Sequence, residues 1–508
     1  FDFGSQAGIE HHAFELQGES TLSVVQQEIT GQLDYQGLMQ FVWGKGLLGL
    51  QDLELSFTAA ESATKEAVLA STDVVLDLAS DQARMTDIVL QFSDLRAEGV
   101  VDVTSFSSEP EYSGQFAVAE FNPRQLMMDL DIETPPTNRP DALSRLQAAL
   151  KFNGSAARVD FSEVAIVLDD SALGGQLTIE EFDPVQLVFD LDIDTLNLDD
   201  YSLVIEAEDA ASEDVEIAGA GVAVGSMLLF TGGGDLRIGR LVAGGMTIED
   251  FNTGVTSNAR EIRLFPISSR FYGGQHQGDV RVTFDAAMAV LTTNQLVTGF
   301  EVSGLFQDLA GTSRMHGTGD FYLKARALLG SQQQARQSLT GDVGLSVVDG
   351  VIDEVDIRGA LNKVAALLGK GDLAGIAVED GDRMEFAELI VSGVIEQGVL
   401  TSDDLLLSSA LVNATGEGTV NLLNETISYV VYPVPANELA VQLPEEYRNV
   451  SVPLRVSGSL HEPDISLDIA AGIMASQNAN IVNKAGEAAS TLLEGIFGKD
   501  KKKKKDGQ

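Results

Sequence analysis

The sequence predicts a mostly β protein, built on one long, curling antiparallel sheet with a few short amphipathic helices. Three observations predict it. Short runs of strict apolar/polar alternation recur along the chain, the clearest being Asp279-Val280-Arg281-Val282-Thr283-Phe284. A period of two gives each such strand one wet and one dry face. Glycine-bearing turn signals such as Tyr272-Gly273-Gly274 punctuate these runs, supplying backbone angles that a Cβ forbids. Helical spacing is also too scarce to give every strand the covering helix of a doubly wound sheet. Such a sheet hides its apolar face either by folding over into a sandwich or by staying open as a trough that something else covers.

Taken in order, Ser20 to Leu33, Val74 to Leu78 and Ile88 to Phe92 have strand-like spacing, and Gly-rich Phe41 to Gly49 includes a bend. An internal repeat follows. Gly114 to Thr134 (GQFAVAEFNPRQLMMDLDIET) and Gly175 to Thr195 (GQLTIEEFDPVQLVFDLDIDT) are identical at twelve of 21 positions, at an offset of 61. In each copy a strand ends at Phe121 or Phe182. Asn122 or Asp183 is then a natural N-cap, with Pro123 or Pro184 at the first helical position. The copies are expected to be equivalent stacked units. Between them, Asp141 to Phe152 (DALSRLQAALKF) reads as an amphipathic helix stopped by Asn153-Gly154.

Acidic Glu206 to Glu216, followed by Gly219, Gly221 and Gly225, reads as a linker. The expected organisation is therefore a β-rich repeat region at 1–205, a linker at 206–226, a second β region at 227–468, and a helix with a lysine-rich tail at 469–508. In the second region, Leu236 with Ile238 and Met246 with Ile248 continue the strand pattern. Ile357, Leu361, Val364 and Leu368 lie at helical spacing, as do the apolar residues from Ile469 to Ile496, which lead to Lys501–Lys505. This last helix has two readings: a cap on the final strands, or a basic end that touches anionic lipid.

Composition excludes several function classes. There are 77 acidic against 32 basic residues, a net charge of −45, and that sign repels nucleic acid. Cysteine is absent, which removes disulfides and thiolate metal sites. The longest apolar run, Ile217 to Phe230, is shorter than the roughly 20 residues of a membrane span. Gly219-x-Gly221-x-x-x-Gly225 has the wrong spacing for a dinucleotide loop. Asp190, Asp192 and Asp194, mirrored by Asp129, Asp131 and Glu133, alternate with apolar residues as a solvated strand face does, rather than as a calcium loop. The histidines His11, His12, His276, His316 and His461 lack zinc spacing, and no nucleophile elbow is present. No enzyme, metal or cofactor is expected.

The order of motifs in the second half resembles the C-terminal region of the AsmA family, which is related to TamB and to bridge-like lipid transfer proteins. The likeness begins at LFPISSRFYGGQHQGDVRVTF, from Leu264 to Phe284. Val302 to Leu309 is similar to the family's short helix, and Gly317-Thr318-Gly319-Asp320 opens the next strand. Leu339 to Ile352 is similar to a following pair of strands, and Asp356-Ile357, running into Leu361, to a helix start. Glu354 stands where the family pattern has a glycine. Leu411 to Leu422 and Val452 to Leu460, closed by Pro463, complete the series.

This resemblance favours the open trough. The expected fold is thus a mostly β chain whose long curled antiparallel sheet forms an open hydrophobic groove. The resemblance also implies a periplasmic protein, anchored in the inner membrane by an N-terminal segment that precedes Phe1. Its implied role is binding and transfer of phospholipid between inner and outer membranes, in support of outer-membrane biogenesis. The membranes are then partners, the outer one through the C-terminal end; no protein partner is identified. The alternative is a structural or assembly factor for outer-membrane proteins without lipid transport.

Strand parity names the expected groove lining: Val280, Val282 and Phe284; Val343, Leu345 and Val347; Leu405 and Leu407; Val420 and Leu422; Ile427, Tyr429 and Val431; Leu454 and Val456. Arg281, Thr283, Ser346, Asn421 and Arg455 stand between them and suit the wet face.

Overall fold

The computed structural model describes residues 11–24, 29–59, 67–201, 231–353, 383–460 and 463–467, apart from scattered positions within them. The chain opens with β1 (His11–Val24), β2 (Ile29–Val42), β3 (Leu47–Ala59), β4 (Ala67–Asp77), β5 (Gln82–Phe92), β6 (Leu95–Thr104) and β7 (Glu111–Phe121). Helix α1 (Pro123–Asp129) precedes β8 (Leu146–Ser155), β9 (Val159–Leu168), β10 (Ser171–Phe182) and β11 (Val185–Asn197), and the single turn α2 (Leu198–Tyr201) follows. Next come β12 (Thr231–Ala243), β13 (Met246–Asn258), β14 (Glu261–Phe271), β15 (Gly274–Asp285) and β16 (Met288–Glu301). Helix α3 (Val302–Ala310), β17 (Met315–Leu329), α4 (Gln332–Ser338), β18 (Thr340–Asp353) and β19 (Arg383–Glu396) continue the series. The last elements are β20 (Val399–Ser408), β21 (Val412–Asn421), β22 (Thr426–Pro435), α5 (Asn437–Ala440), β23 (Leu454–Ser459) and β24 (Pro463–Leu467).

The 24 described strands are assigned to one sheet, and strands make up 74% of the described residues, far above the usual 20–25%. The ladders from β1 to β11 and from β14 to β24 join strands consecutive in sequence and are antiparallel, whereas β11–β12 is parallel. Two compact units divide the chain. The first holds β1–β12 and most of β13; the second holds the start of β13 and β14–β24.

The hairpins are closed by the expected turn chemistry. Between β14 and β15 only Tyr272 and Gly273 intervene, with φ of 44° and 80°. Two positive φ values in a two-residue loop are those of a type I′ turn, whose twist matches the flanking strands. Helix α1 starts as its residues require: Asn122 Oδ1 accepts from Gln125 N at 3.0 Å, and Pro123 occupies the first turn. Helix α3 ends at Gly311, at a φ of 66°, where a left-handed cap suits glycine.

Several expectations are corrected. Ser20 to Leu33 is not one strand: Ser20 on β1 stands directly opposite Leu33 on β2. Leu339 to Ile352 contains one strand, β18, with Asp349 at a φ of 50°.

Asp141 to Phe152 is a turn running into β8, not a helix. Its apolar residues satisfy both periods, and the partners decide between them. Leu150 stands opposite Phe116 and Phe152 opposite Gly114 on β7, while Ala148 faces Ile166 on β9. The buried carboxylate of Asp169 holds the turn, accepting from the backbone N–H groups of Leu143, Ser144 and Arg145.

The repeat copies are not equivalent. After Phe121 the chain forms α1, whereas after Phe182 it turns at Asp183-Pro184 straight into β11. Phe121 is buried and Phe182 exposed. Two causes act together. Met127-Met128 suits a helix, while Val188-Phe189 in the other copy suits a strand. Moreover, three antiparallel ladders separate β7 from β10, so the copies run in opposite directions. The expected linker at 206–226, the helices at Ile357–Leu368 and Ile469–Ile496, and the lysine tail lie outside the described residues.

Candidate functional site: an apolar sheet face

In the second unit, register carries one face from strand to strand. Val280 stands opposite Leu264 and Thr293, and Val282 opposite Ile262 and Leu291. Leu291 faces Ala327, and Val297 faces Phe321. Phe321, Leu323 and Gly319 then face Leu345, Val343 and Val347. Leu345 and Val347 face Val391 and Leu389, and Leu389 faces Leu407. Leu405 meets Gly416, which meets Val431, which meets Leu454; Val420 meets Ile427, and Tyr429 meets Val456. Every expected lining residue therefore falls on this one face except Leu422, which follows the last residue of β21.

Burial grades this face. Val347 is 0% exposed, and Leu407 and Tyr429 are each 8% exposed. Val280, Val282, Phe284, Val343, Leu345, Leu405, Val420, Ile427, Val431, Leu454 and Val456 are half-buried. The buried end is a packed core in which Val297, Phe300, Val302, Val347, Phe386 and Leu407 join, with Leu305 of α3 against them. Gly319 permits this approach, since a Cβ there would lie 2.7 Å from the Phe300 ring.

The polar groups on the face are satisfied locally. His276 Nδ1 lies 2.7 Å from Ser269 Oγ, and its Nε2 lies 2.6 Å from Gln295 Oε1. Gln295 in turn donates to Thr293 Oγ1 at 2.6 Å. Farther along, Ser402 Oγ is 2.9 Å from the Tyr429 hydroxyl, and burial pushes the Tyr429 pKa up. A paired polar group costs little to bury.

The other face of this unit is not uniformly wet, which corrects the reading of Ser346. Ser346, Ile390, Asp404 and Thr415 are all buried there. The Tyr322 ring lies across Gly344, and Asp404 accepts from the Ser392 hydroxyl and, at 2.8 Å, from the Ser392 N–H. Arg281, Thr283 and Asn421 are half-buried, and Arg455 is exposed.

The first unit has an apolar face of its own, which sequence reasoning missed. Val101, Gly114, Phe152 and Phe161 form one cross-strand row; Gly99, Phe116 and Leu150 form another. The Phe116 and Phe152 rings stack at 6.0 Å. Leu177 faces Phe189, and Leu173 faces Ile193, which pairs with Ile238. The signal is Leu187-x-Phe189-x-Leu191-x-Ile193, the apolar half of the alternation whose other half includes Asp190, Asp192 and Asp194. A separate concavity of about 980 Å³ in this unit is lined by polar residues of the opposite face, including Gln17, Gln36, Glu54, Gln91 and Arg96.

The carboxylates that alternate along β11 have protein partners. Arg237 on β12 donates to both Asp190 and Asp192, which holds the Asp192 carboxyl below its usual range. Asp194 accepts from Ala172 N at 2.7 Å. His316 Nε2 is 3.0 Å from Asp353.

No curated protein matches this sequence. The model of the AsmA family, however, matches residues 126–405, which run from α1 across both units to β20. This is more than half of the chain, and the protein belongs to the AsmA family.

Proposed function

We propose that this AsmA-family protein binds phospholipid on its apolar sheet face and passes it through the periplasm between inner and outer membranes, in support of outer-membrane biogenesis. One observation supports this most: apolar residues of β14–β23 share one face, and outside the packed core around Val347 and Leu407 most of them are only half-buried. A continuous apolar surface wider than a few hundred Å² is not left to water. Each acyl methylene laid on it gains roughly 0.8 kcal/mol on leaving water, so an acyl chain of a dozen carbons is firmly held.

Transfer of this kind needs no covalent step, cofactor or metal. The polar groups on the face already satisfy one another, so headgroup selectivity is low. In this reading an N-terminal segment holds the protein to the inner membrane.

Photo-crosslinking tests the reading. Crosslinkers at Val282 and Leu345 should capture phospholipid, whereas those at the exposed Thr292 and Lys324, on the other face, should not. Val282→Glu combined with Leu345→Glu should abolish copurification of lipid, scored by mass spectrometry. Equal labelling of both faces, or capture of outer-membrane proteins in place of lipid, would overturn the reading.

A further inference from the structure

The hairpin tips β2–β3 and β4–β5 carry an apolar patch that the groove does not use. Trp43, the chain's single tryptophan, stands 68% exposed at the first tip. It is not loose: its ring packs edge-on against Phe41 at 4.0 Å, and Val42 beside it is 1% exposed. Leu78, at the second tip, is 54% exposed, and its N–H donates to Gly46 O at 3.0 Å, tying the two tips together. Exposed Lys45 lies between Trp43 and Gly46 and has no ion-pair partner among the described residues.

The two carboxylates that flank the second tip in sequence accept hydrogen bonds from the chain's own donors. Asp77 accepts from Ala79 N and Ser80 N at 2.9 and 3.2 Å, and Asp81 accepts from Ser107 N and its hydroxyl at 3.1 and 2.8 Å. A free lysine beside an exposed tryptophan and leucine is an unusual combination in a chain of net charge −45. It fits an anionic, amphipathic surface. Indole rings settle at the headgroup level of a bilayer, an alkyl side chain reaches the acyl boundary, and an ammonium reaches the phosphates.

We propose that these two tips form a membrane-contact site, with Trp43 and Leu78 entering the headgroup region of a phospholipid bilayer and Lys45 pairing with lipid phosphate. The site is independent of whether the apolar face carries acyl chains.

The chain's single tryptophan makes the test direct. Mixing the full chain with phosphatidylethanolamine vesicles that contain phosphatidylglycerol should shift Trp43 emission to the blue. Lipids brominated near the headgroup should quench it more than lipids brominated near the chain ends. Lys45→Glu should weaken vesicle binding about fivefold or more, the effect of removing one lysine from an anionic surface. Leu78→Asp should lose the shift, while Val282→Glu with Leu345→Glu should keep it. An unshifted emission spectrum in vesicles that the protein nevertheless binds would overturn the proposal, as would binding unaffected by Lys45→Glu and Leu78→Asp together.

Discussion

Ser402 on β20 and Tyr429 on β22 join their hydroxyls at 2.9 Å across an intervening strand. The glycine opposite both, Gly418, makes this reach possible: a Cβ there would stand 2.6 Å from Tyr429 Cδ2. Tyr429→Phe keeps the ring in place and should cost about 1 kcal/mol, the net worth of one hydrogen bond. Gly418→Val drives the ring off the sheet and should cost about 1–3 kcal/mol, as overpacking does. Urea unfolding of the two variants checks the order.

Asp169 predicts an acid-sensitive turn. Burial alone would raise its carboxyl pKa, but the N–H groups of Leu143, Ser144 and Arg145 and the Tyr201 hydroxyl outweigh it, and the carboxyl sits below its usual range. A depressed folded-state pKa gives stability that is present above the unfolded value, about 3.9, and is lost as pH falls through the folded one. Melting temperature should therefore drop below about pH 4 in the parent and respond less in Asp169→Asn, which starts from a lower value.

The Tyr272 hydroxyl donates to Asp308 on α3 at 2.6 Å and accepts from Thr247 N at 3.2 Å. Burial first, and Asp308 second, push its pKa up to about 12. A raised phenol pKa gives stability that is complete below the unfolded value near 10 and is lost as pH rises through the folded one. Tyr272→Phe should abolish this alkaline component, and hydrogen exchange should report faster opening of α3. Gly273→Val, at a φ of 80°, adds backbone strain of about 1–3 kcal/mol.

The repeat offers a paired test. Phe121→Ala removes a buried ring and should cost about 3–5 kcal/mol. Phe182→Ala, at the matching position of the second copy, removes an exposed ring and should cost under about 1 kcal/mol. Equal losses in denaturation would contradict the environments described.

The face carrying Val280, Val282, Phe284, Leu345 and Tyr429 was legible in the sequence because parity within a short strand depends on neighbours alone. Register then preserved that parity from strand to strand. Asp141 to Phe152 was misread because its apolar positions fit both periods, and only the partners on β7 and β9 choose between them. The burial of Ser346 was illegible for a related reason: polarity tells which face a residue suits, not what the Tyr322 ring and Asp404 do to their surroundings. The register shift between Leu264 and Ile267 was legible, since the alternation breaks at Phe265-Pro266 and proline inside a strand marks an edge or a bulge.

Pairing between strands consecutive in sequence also has an evolutionary consequence. Each ladder depends on its immediate neighbours, so a hairpin can be gained or lost by one duplication or deletion, with distant residues left where they were. Such an event changes the sheet's extent by about 9–10 Å, twice the spacing between strands, and leaves its cross-section unchanged. Span thus becomes a trait that selection can adjust separately from what the face binds. An even number of duplicated strands preserves orientation. An odd number, as between β7 and β10, inverts the copy, and its residues at once face new demands; the divergence of Met127-Met128 from Val188-Phe189 is what such an inversion would leave behind.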